Sequence, residues 1–363
     1  MSRLAAECGA INLSQGFPDF DIDPELIRLV HQAMINGQNQ YAPMPGLPAL
    51  RQAISEVIIQ TYNRPTDPET EITVTAGGTA ALYAAITAFI RPGDEVIIFD
   101  PSYDSYGPAV RLNGGIPVHL NLLPPDFQIP WSQLEAAVND KTRMIIVNTP
   151  HNPCGSVLSS EDISRLGALC IERDLILLSD EVYERIVFDG KSHHSVLANP
   201  ELNGRSIAVF SFGKTFHVTG WKTGYVVAAS QLTQEIRKSH QFITFSVNTP
   251  IQQGMASYLQ KPSNYNSLGG LYQKKRDFFL DQLKGTPFKP VSCYGSYFQL
   301  VSYEGFSKEK DFDLARRLTR EAGIASIPVS VFYKDGSDHQ LLRFCFAKKE
   351  ETLEAAGKIL QKI

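Results

Sequence analysis

Apolar residues along this chain follow two spacings. Unbroken runs occur at 96–99 (Val-Ile-Ile-Phe), 144–147 (Met-Ile-Ile-Val), 175–178 (Leu-Ile-Leu-Leu), 207–210 (Ile-Ala-Val-Phe) and 225–229 (Tyr-Val-Val-Ala-Ala), with a shorter β-rich stretch at Ile72–Thr75. Runs this short and this apolar predict strands buried on both faces. Between and before them the spacing becomes helical: Leu26, Leu29, Val30 and Ala33 share one face, Leu82, Ala85, Ile86 and Phe89 another, and 47–62 and 161–173 read as further helices. Strand and helix in alternation predict an α/β fold with a parallel sheet between helices. After about residue 260 the texture changes to helices with charged faces at 272–283 and 311–322, and to short strands near 296–301 and 341–346. This predicts a second, smaller α+β unit completed by the first two dozen residues. At 363 residues, two units are expected: a larger one at 28–268 and a smaller one from 1–27 and 269–363.

Ligands of open parallel sheets sit beyond the carboxyl ends of the strands, and in this chain polar residues gather there. The expected strands run into Gly77-Gly78-Thr79, Asp100-Pro-Ser-Tyr103, Asn148-Thr-Pro-His-Asn152-Pro-Cys-Gly155, Ser179-Asp180-Glu-Val-Tyr183 and Ser211-Phe-Gly-Lys214. A glycine pair at a strand-to-helix turn leaves backbone N–H groups bare at a positive helix end, which suits a phosphate, although no Gly-Lys-Ser/Thr follows as in a P-loop. Lys214 is the candidate nucleophile, since a primary amine whose pKa is lowered by burial and a neighbouring cation forms a Schiff base with an aldehyde. Lys222 supplies such a cation, and with Ser211 it can hold a phosphate. Each residue alone has a structural explanation: Asp180 as a helix cap, Asn152 as part of an Asn-Pro turn, Tyr103 and Tyr183 as packing, Arg343 as half of an ordinary ion pair. The conjunction carries the argument.

Composition narrows the partners. Lys and Arg number 34 against 38 Asp and Glu, a net charge of -4 with no basic stripe, which argues against nucleic acid. No apolar run reaches the roughly 18 residues of a membrane span, and the start lacks the features of a signal peptide, so the cytosol is expected. Cys8, Cys154, Cys170, Cys293 and Cys345 lack disulfide or zinc spacing and read as reduced packing residues, and no metal is expected. His193 and His194 lie in a polar, turn-rich stretch and are expected at the surface.

A reactive lysine, a phosphate cradle, an acid, an aromatic platform and hydrogen bonds for a phenolate are together what pyridoxal 5'-phosphate (PLP) requires. Across essentially its whole length the chain resembles the class I aminotransferases of the fold type I PLP enzymes. The matching motifs are Gln15-Gly-Phe-Pro-Asp19, Gln40-Tyr41 with Gly46, Gly77-Gly-Thr79, Asp100-Pro-Ser-Tyr103, Asn148-Thr-Pro-His-Asn-Pro153, Ser179-Asp-Glu-Val-Tyr183, Ser211-Phe-Gly-Lys214 with Thr219-Gly-Trp-Lys222, and Arg343-Phe-Cys-Phe346. Within the class it is most similar to the bacterial methionine aminotransferases, then to the kynurenine aminotransferases, also called glutamine transaminase K.

The resemblance implies a mostly parallel seven-stranded sheet between helices, a smaller α+β domain, and a ping-pong transfer of an α-amino group to a 2-oxo acid. Lys214 would hold the cofactor and move the Cα proton, Asp180 would keep the pyridinium nitrogen protonated, and Asn152 and Tyr183 would bond the phenolate oxygen. Tyr103 would stack on the ring. Gly78, Thr79, Ser211 and Lys222 would bind the phosphate, joined by Tyr41 from a neighbouring subunit, which makes a homodimer with shared active sites. Arg343 would clamp the substrate carboxylate, helped by the Gly16 backbone and Asn152. Two features depart from the pattern: His151 stands where kynurenine aminotransferases often have asparagine, and few residues precede the Gln-Gly-Phe-Pro motif, where the family usually has a longer arm packing on the partner. Aromatic pocket candidates Phe17, Tyr41, Tyr103 and Phe332 suit a flexible thioether, so methionine is the first expectation, followed by kynurenine, glutamine, leucine and aromatic amino acids. The same site could instead run β-elimination on cysteine conjugates or cystathionine.

Overall fold

In the computed structural model, which describes residues 1–363, each apolar run sends alternate side chains to opposite faces of one sheet, and both faces are covered. Ile97, Ile145, Leu177, Ala208 and Val227 enter one large buried cluster, whereas Ile98, Ile146, Leu178, Val209 and Val226 enter another. Two-sided burial is why these strands read as unbroken apolar runs.

After a short β1 (Ile11–Asn12), the sheet is built from β2 (Ile72–Thr75), β3 (Glu95–Asp100), β4 (Ile116–Asn121), β5 (Thr142–Asn148), β6 (Ile176–Asp180), β7 (Ser206–Ser211) and β8 (Gly224–Ala228). Its seven strands lie in the order β2-β8-β7-β6-β5-β3-β4. Neighbours from β7 to β4 are parallel, and β8 is antiparallel to both β2 and β7. The sheet is therefore mostly parallel, with one reversed strand that an apolar run alone does not distinguish. This reversal positions the site: β8 starts at the end where β7 stops, so the connection 212–223 stays at the carboxyl edge beside the ends of β2, β3, β5 and β6. The edge strand β4 lacks an apolar run because most of it is only partly buried and it contains Pro117 and His119.

The expected helices fall close to their sequence limits, as Pro48–Tyr62, Gly78–Phe89 and Ser160–Glu172. In the helix Pro24–Ile35, Leu26 and Val30 pack with Leu50 and Met255 in the large sheet's core. The stretch expected as one helix at 311–322 is α-helical over Asp311–Arg317 and widens into a π turn over Leu318–Ala322.

A further core of 25 buried residues gathers around β9 (Lys289–Pro290), β10 (Phe298–Ser302), β11 (Ile324–Ala325), β12 (Ile327–Pro328) and β13 (Leu341–Cys345). The order β12-β13-β10-β9 is antiparallel throughout, while β1 pairs in parallel with β11. Leu13, just past β1, packs in this core, so the N-terminal segment and the last third of the chain share it. All five cysteines are free; Cys8 is exposed and the other four are buried. No helix is long and apolar enough to cross a membrane.

Candidate active site

A cavity of about 550 Å³ opens where the carboxyl edge of the large sheet meets β10, β12 and β13. Its lining includes Gly16, Gly78, Thr79, Tyr103, Asn152, Asp180, Tyr183, Ser211, Lys214, Lys222 and Arg343. Residues spread over more than 300 positions of sequence thus meet in one place, and of the expected catalytic, cofactor and carboxylate-binding residues only Tyr41 is absent from it. Tyr41 is 81% exposed and packs against Phe245 at 5.4 Å between ring centroids.

At one end lies a cradle of bare backbone N–H groups. Gly77 has φ 84°, a conformation glycine adopts without strain, and N-caps the 12-residue helix Gly78–Phe89 with no capping side chain. The first-turn N–H groups of that helix therefore have no intrahelical or capping partner and point with the positive helix end. Lys222 sits over the turn: a Cβ on Gly77 would lie 3.6 Å from its Nζ. Ser211 ends β7 beside it, and Thr79 Oγ1 lies 3.1 Å from Tyr103 Oη, which sets the Tyr103 ring at the cavity wall.

Asp180 ends β6 and is buried. Its Oδ2 accepts a 2.6 Å hydrogen bond from Tyr106 Oη, and its carbonyl accepts from Asn148 Nδ2 at 2.8 Å. Burial pushes the carboxyl up to about 6, against the opposing effect of the Tyr106 bond. Such an acid suits a ligand that brings its own positive charge. Asn148 also accepts from the Asn152 N–H at 2.7 Å, so one amide fixes both the acid's strand end and the Asn152 turn.

Lys214 lies in the four-residue helix Phe212–Thr215 that leaves β7. Its Nζ is 2.9 Å from Tyr297 Oη and sits 5.7 Å from the centre of the Tyr183 ring. Burial brings the amine down to about 8, so a useful fraction is unprotonated and nucleophilic near neutral pH. Tyr183 is itself buried, which pushes its phenol up.

Arg343, in β13, faces the lysine from the other side and is buried among Phe298 and Phe332, 3.9 and 5.0 Å from their ring centres. Nη1 donates to Asn152 Oδ1 at 2.8 Å and Nη2 to the Ser14 carbonyl at 3.1 Å, while Nε is buried without a partner. The ordinary ion pair that sequence reasoning allowed is not formed: both partners are neutral, and a buried guanidinium of this kind suits a carboxylate. The Gly16 N–H makes no bond within the chain, and a Cβ on Gly16 would lie 2.5 Å from the Phe298 ring, so only glycine brings the backbone this close. Phe17 is not among the lining residues; Val331, Ile327 and Phe298 stand there with Phe332.

Three residues went unassigned in the sequence. Tyr106 follows Tyr103 at helical spacing, a usable signal; Asn148 opens a quoted motif; Tyr297 is 83 positions from Lys214 and has no local signal. One expectation is corrected: His193 is not a surface residue, because its Nε2 lies 2.8 Å from the fully buried Glu181 carboxylate, with side-chain exposures of 6% and 0%.

An uncapped helix end with a lysine over it, a buried acid, an aromatic wall, a depressed lysine and a buried arginine without an ion partner fit PLP with an amino-acid substrate, and with the reversed-strand sheet they define a fold type I PLP-dependent enzyme. The chain matches the family Aminotransferase class I and II over residues 9–360 and belongs to it. It is thus an aminotransferase, with PLP as the cofactor of its family. It is 49% identical to the methionine aminotransferase of Escherichia coli (strain K12), over 100% of this chain and 94% of that protein. It is 35% identical to a kynurenine–oxoglutarate transaminase of Dictyostelium discoideum, over 100% and 92%. The crystal structure of YbdL from Escherichia coli, identified with a methionine aminotransferase function, superposes with a TM-score of 0.98 at 48% identity, covering 100% of this chain and 95% of that one.

Proposed function

We propose that this enzyme moves the α-amino group of methionine, and of other apolar or aromatic amino acids, to a 2-oxo acid. The observation that carries the reading is the substrate end of the cavity: Arg343 is the one arginine in the lining, and Ile327, Val331, Phe332 and Phe298 surround it. One carboxylate is catered for, and the side chain meets apolar and aromatic surface. A thioether packs well there. The 49% identity to a methionine aminotransferase supports the same substrate.

PLP, when bound, supplies an aldehyde that takes the amino group and a ring that accepts electrons from Cα. On this reading, Lys214 would hold the cofactor and, once free, its amine would take and return the substrate Cα proton. Asp180 holds a proton on the ring nitrogen. Tyr103 would pack on the cofactor ring, and Asn152 and Tyr183 would supply hydrogen bonds to its phenolate oxygen. Gly78, Thr79, Ser211 and Lys222 hold the phosphate, and Arg343, Asn152 and the Gly16 N–H hold the substrate carboxylate.

We further propose a cytoplasmic homodimer in which Tyr41 reaches the partner's phosphate site. Tyr41 and Phe245 are 81% and 46% exposed and pack on each other, an exposed aromatic pair that suits an interface. The division into 28–268 and 1–27 with 269–363 is proposed on the same footing, supported by the separate core around β10 and β13.

The test is a half-reaction: PLP-loaded protein mixed with single amino acids and no acceptor, with the cofactor spectrum and products followed. Methionine should change the spectrum fastest, with one equivalent of keto acid. A faster change with kynurenine, which the Phe298 and Phe332 rings also suit, would replace the substrate. Pyruvate and ammonia accumulating without an acceptor would mean β-elimination instead.

A further inference from the structure

The Lys214 amine has one hydrogen-bond partner in the chain, and no role above uses it. Nζ donates to Tyr297 Oη at 2.9 Å, and that hydroxyl donates to the Gly16 carbonyl at 2.6 Å. A phenol has one proton to give, so committing it to Gly16 turns the oxygen lone pair toward the lysine. Tyr297 is fully buried, its ring held by Phe298, Tyr183 and Tyr272 at 4.8, 5.1 and 5.8 Å. The anchor is held as well: the next carbonyl, of Phe17, accepts from Lys348 Nζ at 2.8 Å. A lysine stem has many rotamers open to it, and an acceptor held this firmly confines the amine to one position.

We propose that Tyr297 is a positioning residue for Lys214. Its hydroxyl is the resting partner of the amine whenever that amine is free, and it ties the amine's position to Gly16, the residue beside the substrate carboxylate. The proposal rests on Lys214 being the reactive amine. A neutral oxygen acceptor favours ammonium over amine, so it also holds the lysine's proton affinity above what the pocket alone would set. The other titratable groups around the amine are Asp180, from the end of β6, Tyr183, Lys222 and, from β13, Arg343 and Cys345.

Cofactor-free protein is labelled with acetic anhydride from pH 6 to 10 and the Lys214 peptide quantified by mass spectrometry, for the wild type, Tyr297→Phe and Tyr272→Phe. Tyr272 is the control, a buried phenol of the same cluster whose hydroxyl lies 2.9 Å from His217 Nδ1. In Tyr297→Phe the labelling midpoint should fall by about one pH unit, a tenfold loss of proton affinity, and in Tyr272→Phe it should stay. PLP-loaded Tyr297→Phe should show kcat reduced about tenfold with a smaller change in KM. An unchanged midpoint in Tyr297→Phe, or equal shifts in both variants, would overturn the proposal. Should Tyr297→Phe not fold, wild-type chain carrying 3-fluorotyrosine at 297 takes its place: its fluorine resonance should titrate with Lys214 and become flat in Lys214→Ala, and a resonance flat in both sinks the proposal. Failure of the underlying reading shows separately, as PLP attachment to a residue other than Lys214.

Discussion

Lys214 and Asp180 are both moved toward neutrality by burial, and the two shifts have different consequences. For the lysine the shift yields reactivity. Lys214→Ala should lower transamination at least about a thousandfold while the phosphate contacts still retain PLP, measured by single turnover and by cofactor content after dialysis. For the acid the shift is a stability effect in the cofactor-free protein. Its carboxyl is raised from 3.8 to about 6, so between those values the native chain keeps a proton that the unfolded chain has released. Stability should therefore fall as pH rises from 4 to 6, by up to roughly 3 kcal/mol, and Asp180→Asn should remove that slope from the melting curves. Arg343→Lys keeps the charge but loses the planar fork, and KM for methionine should rise roughly 10- to 100-fold with less change in kcat. These residue types and their order were legible in the chain. Tyr106 carried only its helical spacing from Tyr103, and Tyr297 carried no signal, because a phenol among other aromatic core residues has no mark of which hydroxyl will face a polar group.

At the scale of elements, the reversed strand β8 places chemistry. Gly224 at its start pairs with both Thr75 and Ser211, and a Cβ there would lie 2.5 Å from the Phe210 carbonyl and 3.1 Å from the Gly77 backbone. Both contacts are backbone, which cannot step aside as a flexible side chain can. Gly224→Ala should cost about 1–3 kcal/mol in stability and weaken PLP binding through the displaced Gly77 turn, checked by thermal melts and by cofactor titration. Elements buried on both faces were readable because alternation vanishes there. The direction of β8 was not, since an apolar run has no polarity, and β4 escaped because an edge strand with proline and histidine looks like a loop.

At the scale of the molecule, one site is assembled from two cores, with the lysine and acid on one side and the arginine on the other. The Tyr41 patch stands apart from its own cavity. Phe245→Glu, against Tyr41 and outside the cavity, should produce monomers in sedimentation and a parallel loss of PLP affinity; dimers of full activity would remove Tyr41 from the partner's site.

The sequence by itself determined the family, the strand ends and the chemistry available at each, because binary patterning and short motifs are local and survive as spacing. Only the tertiary structure decided which groups share a hydrogen bond: Tyr297 with Lys214 and Gly16, Tyr106 with Asp180, Arg343 with Asn152, His193 with Glu181. The partners lie 12 to 281 positions apart. Such pairings depend on how two cores dock and on which side chain fills each angstrom-scale gap, and no period or motif along the chain records that.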